Sequence, residues 1–232
     1  MKRPLLAGLV LLAVVLGVTG GYLTGDYLDT PLPTASGDAG PLGELPSTEP
    51  TLPVKTPTPS DVPALETGLD YQRHTFTVIP KGQQPVQLSI KTPDGWELKR
   101  SPKLPAEVKF LDPTNERGVR VEAVEPPTRT TADARAQLVL NLRSSQPAEN
   151  DLRIVSQNDE QVEGDDGEPR TVSTLIYTYI PTKTRRYVIV RWVATNGDDL
   201  AAVEMSISGL PQDAPGLTEV LRAATTSVRE TG

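Results

Sequence analysis

Cysteine is absent from all 232 residues. That excludes disulfides, thiolate metal sites, a cysteine nucleophile and a lipid-modified cysteine behind a signal peptide. It does not exclude a location outside the cytoplasm, because a large enough core needs no covalent staples. Histidine occurs once, at His74, so one chain can build neither a multi-histidine metal site nor a two-histidine acid–base pair. Aromatics are scarce, and the only tryptophans are Trp96 and Trp192. Each is a candidate either to pack or to face a ligand. Positive charge is also short: the net charge is −7 and the pI near 4.9. Tight nucleic-acid binding needs cations concentrated against phosphates, and this balance argues against it.

The charge is unevenly spread. Residues 1–23 carry +2, residues 24–67 carry −6, and the remainder carries −3. The first of these segments contains "LLAGLVLLAVVLGVTGGYL", Leu5 to Leu23, with no charged residue. As a helix it would span roughly 29 Å, close to the hydrocarbon thickness of a bilayer. Lys2 and Arg3 precede it and Asp26 and Asp29 follow it. Basic residues stay on the cytoplasmic side, so the expectation is residues 1–4 inside, a signal anchor at 5–23, and the rest outside. A cleaved signal peptide shares the charged start and apolar middle, but no A-x-A site follows and only Val18-Thr19-Gly20 resembles one. Gly17, Gly21 and Gly25 recur at the spacing that lets membrane helices dimerise. Because they lie at the edge of the span, they are read first as ordinary glycines of a helix end.

Residues 24–67 read as a disordered linker. Prolines recur from Pro31 to Pro63 among Thr, Ser, Gly and Asp, without a hydrophobic period. Such a chain is extended, and about 34 residues could reach on the order of 100 Å. "TPTPS" is also a possible acceptor of sugars or phosphate.

From Gly68 the pattern becomes that of a globular domain, 68–232. "HTFTV", "VQLSI", "EVKFL" and "GVRVEAV" alternate as strands, with His74, Phe76 and Val78 on one face of the first. "TTADARAQLVLNLRSSQP" changes period: a Thr130/Thr131 cap, then apolar residues at 132, 136, 139, 140 and 142 predict an amphipathic helix. Strands resume at 152–156, and then "TVSTLIYTYI" and "RRYVIVRWVAT" follow. The second is apolar on both faces, as expected of a central strand. "NGDD" is a hairpin signal, and Val203, Met205 and Ile207 should face inward beyond it. Asp213 as cap, Pro215 in the first turn, and Leu217, Val220, Leu221, Ala224 and Val228 in one stripe predict a terminal helix. Strands joined by hairpins, with two helices to cover them, imply an α+β fold with an antiparallel sheet.

The order carries a resemblance. "PDGW" after a strand, "KFLDP", a capped helix, the long pair around "YTYIPTKTRRYVIVRW" and an amphipathic C-terminal helix are similar to the PsbP-like α/β/α sandwich, and to the actinobacterial LpqN-type envelope proteins within it. The resemblance spans about residues 70 to 230. It implies a central antiparallel sheet with helices on both faces and a non-enzymatic accessory role at a membrane or cell envelope. Many such relatives are lipoproteins. This chain lacks the cysteine for that, and its apolar N-terminal segment takes the anchor's place. No binding residue is carried over from the resemblance.

Few residues suggest chemistry. His74 with Asp70 is a conceivable general base, but no G-x-S-x-G or other nucleophile motif accompanies it. Aligned as a Ca²⁺ loop, Asp159-x-Gln161-x-Glu163-Gly164 puts Arg170 where the bidentate glutamate belongs, so a solvated turn is expected. Neither catalytic nor metal residues are expected, and no cofactor. Lys183, Arg185 and Arg186, with Tyr187 beside them, form the best exposed contact candidate, for an acidic partner or anionic lipid heads. In "TPDGW", Pro93, Asp94 and Gly95 should occupy the second to fourth turn positions, with Trp96 packing behind. The expected function is that of a membrane-anchored extracytoplasmic accessory or binding module acting through protein contacts. The alternative is a carrier or sensor of an apolar ligand such as a lipid, held between sheet and helix. A hydrolase lacks a visible nucleophile or metal constellation.

Overall fold

Where apolar and polar residues alternate, the chain is extended. The computed structural model describes residues 52–231, and its compact unit begins at Val54. The anchor segment 5–23, the glycines Gly17, Gly21 and Gly25, and the first part of the connector lie outside the described residues. Among the described residues no helix is long and apolar enough to cross a membrane.

A small sheet forms from β1 (Tyr71–Val78), β2 (Val86–Pro93) and the two-residue β10 (Arg229–Glu230), in the order β1-β2-β10. The larger sheet has seven strands: β3 (Glu97–Lys99), β4 (Glu107–Leu111), β5 (Gly118–Ala123), β6 (Arg153–Glu163), β7 (Pro169–Tyr179), β8 (Arg186–Val193) and β9 (Val203–Gly209). Their order is β3-β4-β5-β9-β8-β7-β6, and every pair is antiparallel. Helix α1 (Thr131–Ser145) connects β5 to the far-edge strand β6, and α2 (Ala214–Ser227) follows β9. The fold is α+β, as the alternation implied.

Register shows which face each helix covers. Val121, Met205, Arg191 and Thr174 stand in one row across β5, β9, β8 and β7. Arg191 donates to the hydroxyl of Thr225, so α2 lies on that face. The neighbouring row of Glu122, Glu204, Trp192 and Ser173 faces the other way, because successive strand residues alternate. Ser173 donates to the hydroxyl of Thr131 at 3.0 Å, so α1 lies on the opposite face. The α2 face holds the main core. Leu217, Val220, Leu221, Ala224 and Val228 are buried there with Val119, Val121, Met205 and Ile207. Phe76 from the small sheet meets Phe110 edge-on at 5.7 Å. β8 is central, as its two apolar faces suggested.

Four details depart from expectation. First, Pro93 ends β2 and opens the turn rather than taking its second position. The Trp96 N–H donates to Pro93 C=O, which places Gly95 third, at φ 78°. A type II turn needs positive φ there, and glycine is the residue that supplies it without steric cost. Second, α1 has two apolar rows. The sheet takes the row that contains Thr131, Val139 and Leu142, and leaves Leu140 61% exposed. Third, "NGDD" does not close a two-residue hairpin. The β8–β9 connection runs from 194 to 202 and docks on the start of α1 through the Thr131 N–H to Asp199 C=O and Ala201 N–H to Arg129 C=O contacts. Fourth, the helix α1 is capped by Thr130 as predicted, but Asp213 makes no side-chain cap bond to α2. Its carboxylate turns back to accept from Leu210 N–H and Leu65 N–H, both at 2.8 Å.

That last contact belongs to a larger feature. Residues 54–67 are extended, as a proline-rich segment should be, but they lie along the domain as a strap. Lys55 N–H donates to Glu149 C=O and Thr58 N–H to Lys183 C=O, both at 2.8 Å. The Lys55 ammonium reaches Asn150 Oδ1 at 2.6 Å and Pro181 C=O at 3.0 Å. Further along, Arg117 donates to Pro63 C=O and pairs with Asp213 and Asp112. The compact unit therefore starts at Val54, fourteen residues before the composition shift at Gly68.

Candidate contact surface

The basic group at the β7–β8 turn is not one patch. Arg186 is buried, its guanidinium on the Glu116 carboxylate at 2.6 Å and on the Glu116 C=O. Arg185 donates to Asp151, which also holds Arg153. Tyr187 is half-buried against the core, on the opposite face of β8 from Arg186. Lys183 is exposed, while its carbonyl holds the strap. Of the four, Lys183 alone presents its charge freely. Local sequence could not show this, because Glu116 and Asp151 come from distant positions. Beside the strap lies an open cleft of about 240 Å³, lined by Pro57, Pro59, Thr184, Arg185, Leu210 and Gln212 among others.

Both tryptophans pack. Trp96 is 7% exposed and belongs to the main core cluster. Trp192 is 3% exposed and points to the α1 side of the sheet, where its indole N–H donates to Glu204 at 2.9 Å. That hydrogen bond lets a polar indole edge be buried.

Glu204 belongs to a charged group with no trace in local motifs. Arg120, at the centre of β5, donates to Glu107, Glu122 and Glu204 from β4, β5 and β9. Burial by itself would lower the Arg120 pKa, but the three carboxylates together raise it, so it stays charged. Burial raises the Glu122 pKa against the pull of Arg120. The signal in sequence was only a strand reading R-V-E between apolar residues. The partners came from register: Glu122 sits opposite both Glu107 and Glu204.

The remaining candidates make contacts within the domain. His74 lies on Phe110 with ring centroids 4.8 Å apart, and burial lowers its pKa below the ordinary value. The acidic run divides: Asp159, Glu160 and Glu163 are on β6, the first two paired with Arg135 and Arg191, while Asp165, Asp166 and Glu168 lie in the β6–β7 turn. Asp165 binds Arg73 and Lys91, and Asp166 binds Arg170. Among the described residues no group of three His, Cys, Asp or Glu is arranged to hold a metal ion.

No protein-family model matches the chain, and no curated protein matches it in sequence. Among the solved structures similar to it are two that match about two thirds of this chain and nearly all of their own. The Ran-binding protein Mog1p of Saccharomyces cerevisiae is 9% identical, with a TM-score of 0.45, covering 69% of this chain and 95% of its own. A Pseudomonas aeruginosa protein of unknown function, PA94, described as a putative regulator, is 13% identical with a TM-score of 0.37, covering 64% and 94%. Both are too distant to inform fold, partner or function.

Proposed function

We propose that the chain is a membrane-anchored, extracytoplasmic accessory or binding module of a bacterial cell envelope, non-catalytic and acting through contacts made by its domain. Leu5–Leu23 would cross the membrane once, with Lys2 and Arg3 in the cytoplasm, and 24–53 would carry the domain outside. The PsbP-like, LpqN-type resemblance belongs to the same reading, and the helices on opposite faces of one antiparallel sheet are in keeping with it.

The observation that favours a presented surface over a ligand carrier is the layer between sheet and α2. Leu217, Val220, Ala224 and Val228 are fully buried against Met205 and Ile207, also fully buried. Side chains occupy the place a lipid would take between those elements. Crosslinking of the full chain in native membranes, followed by identification of what is bound, tests the reading. A reproducible envelope protein is the expected product. Bound lipid with no protein partner would favour the carrier instead, and release of the chain by alkaline extraction would refute the anchor.

A further inference from the structure

Two loops meet at one end of the larger sheet. Residues 79–85 join β1 to β2, and residues 100–106 join β3 to β4. The Ile79 N–H donates to Pro105 C=O, and the Arg100 guanidinium donates to Thr77 C=O, both at 2.7 Å. No acidic residue lies between Asp70 and Asp94, nor between Glu97 and Glu107. Lys81, Arg100 and Lys103 are exposed, and among the described residues none of them is in an ion pair; Lys99 beside them is held by Glu97. Ile79 stands among these cations, 49% exposed. Glu230 accepts from Thr195 and its pKa is raised by burial and by Glu125, and the exposed Asp198 and Asp199 and the acidic β6–β7 turn lie at this same end, on the far side of β5 from the two loops. So a chain of net charge −7 concentrates free cations around one exposed aliphatic side chain.

The strap does not obstruct this end. Register puts Leu111, Gly118, Gly209 and Tyr187 at the opposite end, where Arg117 and Asp213 hold the strap. We propose that the loop pair docks on an anionic lipid surface, with Lys81, Arg100 and Lys103 against headgroup phosphates and Ile79 entering the boundary between headgroups and acyl chains. An exposed loop pair that carries unpaired cations and an exposed aliphatic side chain fits a deformable charged interface. The inference rests on the membrane-anchored reading, since the tether keeps the domain near a bilayer. If extended, residues 24–53 would reach about 90 Å, which lets either end of the domain face it.

Because the chain has no cysteine, Ile79→Cys introduces a single thiol for a polarity-sensitive fluorophore. The labelled full chain is reconstituted in vesicles of phosphatidylcholine, alone or mixed with phosphatidylglycerol. The emission should shift to the blue only in the anionic vesicles and return in high salt. Each cation near an anionic surface contributes about fivefold, so Lys81→Gln, Arg100→Gln and Lys103→Gln together should lower the docked-to-free ratio on the order of 100-fold. These side chains are exposed, and unchanged tryptophan emission confirms the fold. Identical spectra in both vesicles would overturn the proposal. So would a salt-sensitive response to soluble polyphosphate equal to that of vesicles, which would assign the cations to a free polyanion. Alkaline extraction of the same vesicles tests the anchor separately. If the chain washes off, the anchor reading fails, and the neutral–anionic contrast with vesicles added from outside still decides the loops.

Discussion

Replacing Asp213 by asparagine should unfold the anchorage of the strap and destabilise the whole domain. The carboxylate is fully buried and accepts from Leu65 N–H, Leu210 N–H and Arg117 Nη2 at 2.8, 2.8 and 2.9 Å. Asparagine keeps the shape but has one acceptor oxygen, and it carries no charge to oppose Arg117. Stranding one member of a buried ion pair costs about 3–5 kcal/mol. Arg117 retains Asp112 and the Pro63 carbonyl, so the expected loss is at the low end, about 3 kcal/mol. Urea unfolding followed by tryptophan emission measures it, since Trp96 and Trp192 are both buried in the native state. The Leu65 amide should exchange faster with solvent by a comparable free energy. Pairing Asp213→Asn with Arg117→Met removes the stranded charge, so the double variant should lose less than the sum of the single losses, by about 1.5 kcal/mol or more. A single-variant loss below about 1 kcal/mol, or strictly additive losses, would refute the claim that this pair holds strap and domain together.

Three further outcomes follow from the geometry. Burial lowers the His74 pKa below 6.5, so the unfolded state binds the proton more readily; stability is present above pH 6.5 and falls as pH drops through the native value. The urea midpoint of wild type should therefore fall more between pH 7 and 5 than that of His74→Leu, and equal slopes would exclude the effect. Trp96→Ala should cost about 3–5 kcal/mol as a core truncation, whereas Gly95→Ala has open space and should cost only the left-handed strain, about 1–2 kcal/mol; comparable losses in thermal unfolding would contradict the division between packing and turn. Gly216→Ala would place a methyl 2.8 Å from Leu65 Cγ and 2.8 Å from the Leu65 carbonyl, so it should displace the strap, cost about 1–3 kcal/mol and speed proteolysis near Leu65, and a protease pattern like that of wild type would show that the strap can yield without releasing.

The strands were readable because their signal is local. Val119, Val121 and Ala123, then Val203, Met205 and Ile207, alternate within their own segments, and each is buried. The stripe from Leu217 to Val228 is equally self-contained. The contact surface was not readable in this way. Lys183, Arg185 and Arg186 look like a patch in a linear chain, but Glu116 and Asp151 bind two of the three. The loops bearing Lys81 and Arg100 are separate in sequence and are joined by the hydrogen bonds from Ile79 to Pro105 and from Arg100 to Thr77. Their freedom from acidic residues was countable beforehand, but their adjacency was not.

The sequence by itself determined that the domain is α+β, where most of its strands and both helices lie, that cysteine chemistry is excluded, and that a 19-residue uncharged run precedes a proline-rich connector. Those properties depend on composition and on periods of two and 3.6 residues, which neighbouring residues carry. Only tertiary structure decided that the connector's last residues are part of the domain, that Asp213 holds the strap rather than capping a helix, and which cations stay free. Hydrogen-bond and ion-pair partners are set by register and packing between segments as far apart as Pro63 and Arg117, or Leu65 and Asp213. A local pattern can name a charge, but the fold chooses its partner.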